Sequence, residues 1–402
     1  MLRLRKVRVS PLVAIAIAVA LALATACGRD APSPAAAAAS SGGKATRASA
    51  ANGAAVLKVC NWSDYIGKDT LREFEATAGI RVDYCNYANN DALLARLKAA
   101  PGGYDVVFPT AHPYARDLVA EGALATLDKS LLPNLGHMDP AIMAELAEID
   151  PGNAHLVPYM WGTTGLGVNV DQVRAALGPQ APLDSWGLLF DPANAARLSR
   201  CGIGIIESDT DAFPPALMWK GLDARDDSER ANDTVRAVYA AIRPHIRKIA
   251  NGDELIKGLA EGEFCVVLTY SGDVSQARAR ADEQSVQRGR KPLEIRYVIP
   301  REGAVRWIDV IAIPKGAPSP AAAHRFVDYL MTPAVIASIS DEVAYANANR
   351  DASALMESSI TKDPGIYPPP AVQAKLVGSG TPDAAQAQAR RRAWDAIVYG
   401  SL

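Results

Sequence analysis

The spacing of apolar and polar residues predicts alternating strands and helices in the first third of the folded chain. An apolar strand over 57–61 is followed by a helix over 69–78, whose apolar residues share one face and which ends before Gly79. A strand of alternating polarity then runs over 80–84, and Asn90 is placed to cap the next helix. This part of the chain is therefore expected to fold as strand, helix, strand, helix.

A third strand over 104–108 is apolar, and it completes a βαβαβ order that is typical of a parallel sheet covered by helices on both faces. Ligands of such sheets bind beyond the carboxyl ends of the strands. The segments that follow the three strands are therefore the first candidates for a binding site: 61–65, 87–91 and 109–114.

The same alternation returns later in the chain and predicts a second α/β lobe. Strand-like segments lie at 165–169, 202–206, 264–268 and 296–299. A further strand over 307–313 precedes two helices, which have Pro320 and Pro333 at their first positions.

The first 26 residues have the pattern of a secretory signal peptide, with four basic residues among the first eight and an apolar run over 11–26. That run is shorter than the roughly twenty residues that span a bilayer. Two cleavage sites fit its end: an ordinary A-x-A site at 24–26, and 23–27, which resembles a bacterial lipobox whose Cys27 becomes lipidated.

The segment after Cys27 favours the lipoprotein, because 31–55 is almost entirely Ala, Ser, Gly, Pro and Thr. Such a composition cannot bury a core and is typical of a flexible tether. We therefore predict a protein of the periplasm in which 1–26 is the signal peptide and 27–55 is the lipid-anchor cysteine with its linker.

Composition excludes several classes of function. Without residues 1–26, 38 Lys and Arg stand against 44 Asp and Glu, a balance of −6, and no basic stripe interleaved with aromatic residues indicates nucleic-acid binding. The motifs G-x-S-x-G, H-E-x-x-H and Walker A do not occur in the sequence. We expect no catalysis, no cofactor and no metal.

Four cysteines follow Cys27, namely Cys60, Cys85, Cys201 and Cys265. An even number in an oxidising compartment allows two disulfides, and the sequence leaves three pairings open. None of the cysteines stands in a C-x-x-C spacing, so a zinc or redox site is not indicated.

Aromatic residues and polar or acidic ones stand together in four segments: 62–65 (Trp-Ser-Asp-Tyr), 270–273 (Tyr-Ser-Gly-Asp), 307–309 (Trp-Ile-Asp) and 345–347 (Tyr-Ala-Asn). Taken singly, each ring fits a core position, and each Asp fits a helix cap or a solvated charge. Together they describe a box for an organic cation, because carboxylates replace the hydration of an ammonium and ring faces flank its methylene chain. A ligand with an amine at each end needs acid at each end.

Six segments in chain order resemble the bacterial periplasmic spermidine/putrescine-binding proteins, and the putrescine-specific receptors most: 61–65 (NWSDY), 157–165 (VPYMWGTTG), 185–186 (SW), 271–274 (SGDV), 341–349 (DEVAYANAN) and 364–369 (PGIYPP). The resemblance extends over about 57–396. It implies a type II periplasmic-binding-protein fold, in which two α/β lobes joined by a hinge close over a ligand in the cleft between them.

The resemblance implies that lobe 1 comprises 56–164 and 303–402, including the C-terminal helices, and that lobe 2 comprises 165–302. The chain would cross between the lobes near 163–168 and return near 299–305. It further implies a monomer that delivers a polyamine to an ABC import permease in the inner membrane. A tethered sensor that presents polyamine to a signalling receptor is the alternative.

The resemblance also implies a role for each of eleven residues. Asp64 and Asp309, with Ser63, would bind one ammonium group, and Asp211 and Asp273 would bind the other. The remaining residues are one polar contact, Thr110, and an aromatic wall around the methylenes, Trp62, Tyr65, Tyr270, Trp307 and Tyr345.

Three positions depart from the putrescine-specific pattern, namely Tyr270, Trp307 and His112. Trp307 is similar to the spermidine-preferring branch, whereas Ser63 and Asp64 follow the putrescine branch. Putrescine is the predicted ligand, with spermidine, cadaverine and agmatine left open, and a protonated His112 would disfavour a longer trication.

The resemblance pairs Cys201 with Cys265 inside lobe 2. Cys60 and Cys85 are additional to that pattern, and they end two predicted strands that should be neighbours in the sheet. A second disulfide between them is geometrically reasonable, with two free buried thiols as the alternative.

Overall fold

The structure is a computed structural model that describes residues 56–400. The predicted signal peptide at 1–26, the lipidation of Cys27 and the linker at 27–55 lie outside the described residues. Within 56–400, every helix is too short or too polar to span a membrane.

The described residues form eleven strands. They are β1 (Val56–Trp62), β2 (Arg81–Tyr87), β3 (Val106–Val107), β4 (Leu156–Asn169), β5 (Ile203–Ile206), β6 (Lys248–Ala250), β7 (Val266–Tyr270), β8 (Ile295–Val298), β9 (Ala304–Ala312), β10 (Ala346–Asn347) and β11 (Leu376–Gly378).

Sixteen α-helices accompany them in the same part of the chain. They are α1 (Thr70–Ala78), α2 (Asn90–Ala99), α3 (Arg116–Ala120), α4 (Pro140–Leu146), α5 (Val170–Leu177), α6 (Gly187–Phe190), α7 (Pro192–Leu198), α8 (Asp209–Trp219), α9 (Glu229–Ile242), α10 (Gly252–Glu261), α11 (Ser271–Arg288), α12 (Pro320–Leu330), α13 (Pro333–Val343), α14 (Ser358–Thr361), α15 (Pro370–Gln373) and α16 (Ala384–Tyr399).

The first strands and helices follow the predicted βαβαβ order, and β1 pairs in parallel with both β2 and β3. Gly79 ends α1 with a positive φ of 68°, which glycine adopts without steric cost, and its N–H donates to the carbonyl of Glu75. The predicted cap of α2 is wrong by one residue. Asn89 caps the helix by accepting from the N–H of Ala92, because the side chain of Asn90 is instead bonded to Thr110.

Two long strands, β4 and β9, run antiparallel to each other through the middle of the molecule. The first half of β4 is buried in one apolar core, which contains Leu156, whereas Leu166 further along the same strand is buried in a second core. Likewise, β9 begins in the second core at Ala304 and continues in the first from Trp307. The described residues therefore form two lobes, which this pair of strands connects.

The second lobe repeats the architecture of the first. Strand β5 pairs in parallel with β6 and β7, and β4 pairs antiparallel with β7 and β8. The large buried side chains of this core include Trp186, Phe190 and Phe264, whereas those of the first core include Phe74 and Phe326.

The C-terminal helix departs from the predicted division, which placed all of 303–402 with lobe 1. Trp394 and Ile397 of α16 are buried in the second core, where the ring of Trp394 lies 5.8 Å from that of Tyr239 in α9. The sequence could not reveal this, because an apolar helix face specifies that it is buried but not against which lobe.

Both predicted disulfides are present. Cys60 lies directly opposite Cys85 in the β1–β2 pair with a Cα–Cα distance of 4.6 Å, and Cys201 and Cys265 lie 5.5 Å apart. These separations lie within the range that a disulfide spans. The alternative of two free thiols at Cys60 and Cys85 is wrong.

Candidate functional site

A cavity of about 420 Å³ lies between the two lobes, beyond the strand ends of the first lobe and against α8, α10, α11 and α16 of the second. The segments predicted from strand ends contribute to its wall. All eleven predicted ligand residues line it: Trp62, Ser63, Asp64, Tyr65, Thr110, Asp211, Tyr270, Asp273, Trp307, Asp309 and Tyr345.

Asp309 projects from β9 and is 5% exposed. The hydroxyl of Thr110 donates to one carboxylate oxygen at 2.7 Å, and that of Tyr65 donates to the other at 2.9 Å. Burial raises the pKa of Asp309 to about 7, because the charged form has lost its water. A carboxylate offers about four acceptor positions, so two remain for a ligand.

Asp273 lies in the first turn of α11, where the helix dipole favours a negative charge. Thr269 and Tyr345 each donate a hydroxyl to it at 2.8 Å, and burial raises its pKa to about 6. Because Tyr345 belongs to the first core and Asp273 to the second lobe, their hydrogen bond joins the lobes across the cleft.

Asp211, in the first turn of α8, accepts hydrogen bonds from hydroxyl groups. Thr164 of the connecting strand β4 donates at 2.7 Å, Ser208 at 2.6 Å and Tyr270 at 2.9 Å. Burial raises the pKa of Asp211 above its usual range. The structure thus brings together two acidic residues of the second lobe and Asp309 of the first.

The predicted aromatic wall is a chain of edge-to-face contacts. The ring centroid of Tyr345 lies 5.2 Å from that of Tyr65 and 5.4 Å from that of Trp307, and Trp307 lies 5.5 Å from Tyr270. Such contacts hold each ring in place and stabilise the wall. Trp62 packs at 4.9 Å on Tyr87 and donates its indole N–H to the carbonyl of Phe108.

Ser63 and Asp64 also line the cavity, where Ser63 is half-buried and Asp64 is exposed. The Asp64 carboxylate is 52% exposed and forms an ion pair at 2.8 Å with Arg280 of α11. Asp64 and Asp309 thus have different partners, and their joint binding of one ammonium stays a prediction.

His112 lines the cavity with its Nδ1 buried, without a hydrogen-bond partner among the described residues. Burial and, to a lesser extent, the nearby Arg116 lower its pKa, so the ring is uncharged at neutral pH. Repulsion of a trication by a protonated His112 therefore does not apply at neutral pH.

Several residues that shape the site were missed by sequence reasoning. Thr164, Ser208 and Thr269 orient the acidic residues, and a Cβ on Gly162 would lie 2.6 Å from the ring of Trp307, so only glycine fits there. Gly162 lies inside the 157–165 motif, so that motif could have indicated its role in the site. The cavity residues of α16 carried no such signal: Arg391, Trp394, Asp395 and Tyr399.

Comparison with known proteins agrees with this architecture. Residues 69–368 match the family described as bacterial extracellular solute-binding protein. A structure of a putative spermidine/putrescine ABC transporter from Listeria monocytogenes superimposes with a TM-score of 0.75 and 24% identity, covering 85% of this chain and 98% of that one. The predicted α/β periplasmic-binding-protein fold is confirmed.

Two curated relatives are similar over nearly the whole chain. The putrescine-binding periplasmic protein SpuD of Pseudomonas aeruginosa is 40% identical, over 90% of this chain and 96% of its own. The putrescine-binding periplasmic protein PotF of Escherichia coli is 39% identical, over 86% and 91%. The chain therefore belongs to the bacterial extracellular solute-binding proteins, which are binding proteins and not enzymes.

Proposed function

We propose that this protein captures a small linear polyamine, putrescine in the first place, and delivers it to an ABC import permease. The observation that carries the proposal is the set of carboxylates of Asp211, Asp273 and Asp309, which within 56–400 accept hydrogen bonds from hydroxyl groups and from no Lys or Arg side chain. Asp273 and Asp309 are buried. A buried charge is costly without a partner of opposite sign. A cationic ligand would supply that partner.

The arrangement supports a diamine because acidic groups stand on both lobes and aromatic rings stand between them. Each ammonium group has three donors, which fit the free acceptor positions of a carboxylate. The rings of Trp307 and Tyr345 offer electron-rich surfaces to the methylene chain. Putrescine is favoured over longer amines because the two relatives at 39 and 40% identity are named for it.

Binding would shift the population toward a closed form. A ligand held by Asp309 on one side and by Asp211 and Asp273 on the other gains contacts to both lobes only when the cleft is closed. The strands β4 and β9 connect the lobes and would serve as the hinge. The permease would then recognise the closed form.

The proposed setting is the periplasm, with a monomeric protein tethered through lipidated Cys27. The composition of 31–55 supports a flexible leash between the anchor and the folded lobes. Globomycin, which blocks removal of lipoprotein signal peptides, should cause a larger precursor to accumulate, and Cys27→Ser should abolish the lipidated form.

Isothermal titration calorimetry of the mature protein, stripped of bound ligand, tests the proposal. Putrescine, spermidine, cadaverine and agmatine would be titrated in turn, and we expect putrescine to bind with micromolar or tighter affinity. Absence of binding by all four would contradict polyamine capture. Tighter binding of another amine would change the proposed substrate but not the class of ligand.

A further inference from the structure

The C-terminal helix α16 is fixed to the second lobe by a buried ion cluster. Arg390 is 7% exposed, its Nε lies 3.0 Å from Asp209, and its Nη1 lies 2.6 Å from Asp227. The packing of Trp394 into the second core adds to this attachment. The helix is therefore a rigid part of that lobe.

The next residue, Arg391, reaches the other lobe. Its Nη1 and Nη2 lie 2.5 and 3.1 Å from the two carboxylate oxygens of Asp91, a bidentate arrangement. Asp91 stands in α2, whose Leu93 is buried in the first core. Successive residues of a helix point about 100° apart, so Arg390 and Arg391 can bind different lobes.

Arg391 is also out of place for a site that attracts cations. Among the described residues that line the cavity, nine are Asp or Glu, and Arg391 is the only Lys or Arg. A positive charge there repels a polyamine. Arg391 must therefore serve the protein in another way than by binding the ligand. The ion pair with Asp91, which spans the cleft, supplies one.

We propose that Arg391 and Asp91 form a latch that stabilises the closed arrangement of the lobes and slows release of the ligand. The proposal rests on the proposed function, because the first experiment that tests it measures the release of putrescine. It makes Arg391 a positioning residue, which acts on the ligand through the lobes and not by binding it.

The size of the effect follows from exposure. The side chains of Arg391 and Asp91 are 49% and 47% exposed, so water and salt screen the pair. Ion pairs of this kind change an equilibrium by about two- to fivefold. We expect a change of that size in the rate of putrescine release.

Stopped-flow measurement of putrescine release tests the latch in the full mature protein. Arg391→Gln and Asp91→Asn should each release putrescine about two- to fivefold faster, and the double variant should be no faster than either single one. Reversing both charges, Asp91→Arg with Arg391→Asp, should restore slow release. The control Arg392→Gln changes an exposed arginine of the same helix that forms no ion pair within 56–400.

Equal release rates for Arg391→Gln and Arg392→Gln would overturn the latch, as would additive effects in the double variant. If the unaltered protein bound no putrescine, the proposed function would fail separately. The latch would then be tested by small-angle X-ray scattering of the ligand-free protein. A larger radius of gyration for Arg391→Gln than for Arg392→Gln supports the latch, and equal radii overturn it.

Discussion

At the residue scale, the chemistry of the site depends on carboxylates that are buried among hydroxyl groups. Tyr65 and Thr110 hold the two oxygens of Asp309 in place but bring no charge to compensate it. The same is true of Asp273 between Thr269 and Tyr345. The hydroxyl groups thus orient each carboxylate but do not neutralise its charge. A cationic ligand would neutralise it.

Asp309→Asn should weaken putrescine binding at least about tenfold, because a charge-assisted hydrogen bond contributes about 1.5 to 3 kcal/mol. The asparagine keeps the shape of the side chain and removes its charge. Calorimetry gives the affinity, and Asp282→Asn, at an exposed position on α11 outside the cavity, is the control. Unchanged affinity would remove Asp309 from the binding site.

The affinity for putrescine should fall as the pH is lowered from about 8 to 5.5. The pKa of Asp309 is about 7 and that of Asp273 about 6, so both take up protons across this range, while the ligand requires them ionised. The amines stay protonated throughout, with pKa values near 10. Binding near pH 6.5 must therefore release protons.

Calorimetry in buffers of different ionisation enthalpy measures that proton release. Asp309→Asn should remove the part of the pH dependence that is centred near 7 and leave the part near 6. An affinity that stays constant between pH 5.5 and 8 would show that these carboxylates are ionised before the ligand arrives.

At the scale of elements, α16 illustrates how two neighbouring arginines act differently. Arg390→Gln leaves Asp209 and Asp227 buried and unpaired, which should lower the free energy of unfolding by about 3 to 5 kcal/mol. Arg391→Gln breaks an exposed pair and should cost less than about 1 kcal/mol. Urea denaturation of both variants measures the difference, and equal losses would contradict the buried cluster as the anchor of α16.

The strands β1 and β2 are tied by Cys60 and Cys85, two residues before Trp62 and Tyr87 at the cavity. Replacing both cysteines by serine should lower the free energy of unfolding by about 2 to 4 kcal/mol, because the unfolded chain regains the freedom of a loop. The midpoint of urea denaturation reports the loss. A midpoint equal to that of the unaltered protein would show that strand pairing alone holds these ends.

At the scale of the whole molecule, two α/β lobes meet over an acidic cleft and are connected by the antiparallel strands β4 and β9. Contacts across the cleft include the hydrogen bond from Tyr345 to Asp273 and the ion pair between Asp64 and Arg280. A ligand that touches both lobes adds to these contacts, so binding and closure are expected to be coupled.

Saturating putrescine should reduce the radius of gyration measured by small-angle X-ray scattering. Butylamine, which has the same four carbons and only one ammonium group, is the matched control and should leave the radius unchanged. An unchanged radius with saturating putrescine would mean that capture occurs without movement of the lobes.

The sequence by itself determined the secondary structure near the N-terminus of the folded part, the second lobe, and the segments that line the cleft. These features follow from local periodicity and from strand ends, which neighbouring residues specify. The short motifs also predicted residues that line the cavity, such as Trp307 and Asp309. This was possible because the motifs of the family resemblance are contiguous segments of the sequence.

Only the tertiary structure decided which distant residues meet. Arg391 pairs with a residue 300 positions away, Asp64 forms an ion pair with Arg280, and α16 packs on the lobe that the chain order did not suggest. An ion pair or an apolar helix face has the same local sequence whatever its partner. The partner is determined by how the two lobes pack, which depends on the apolar side chains of the whole chain together.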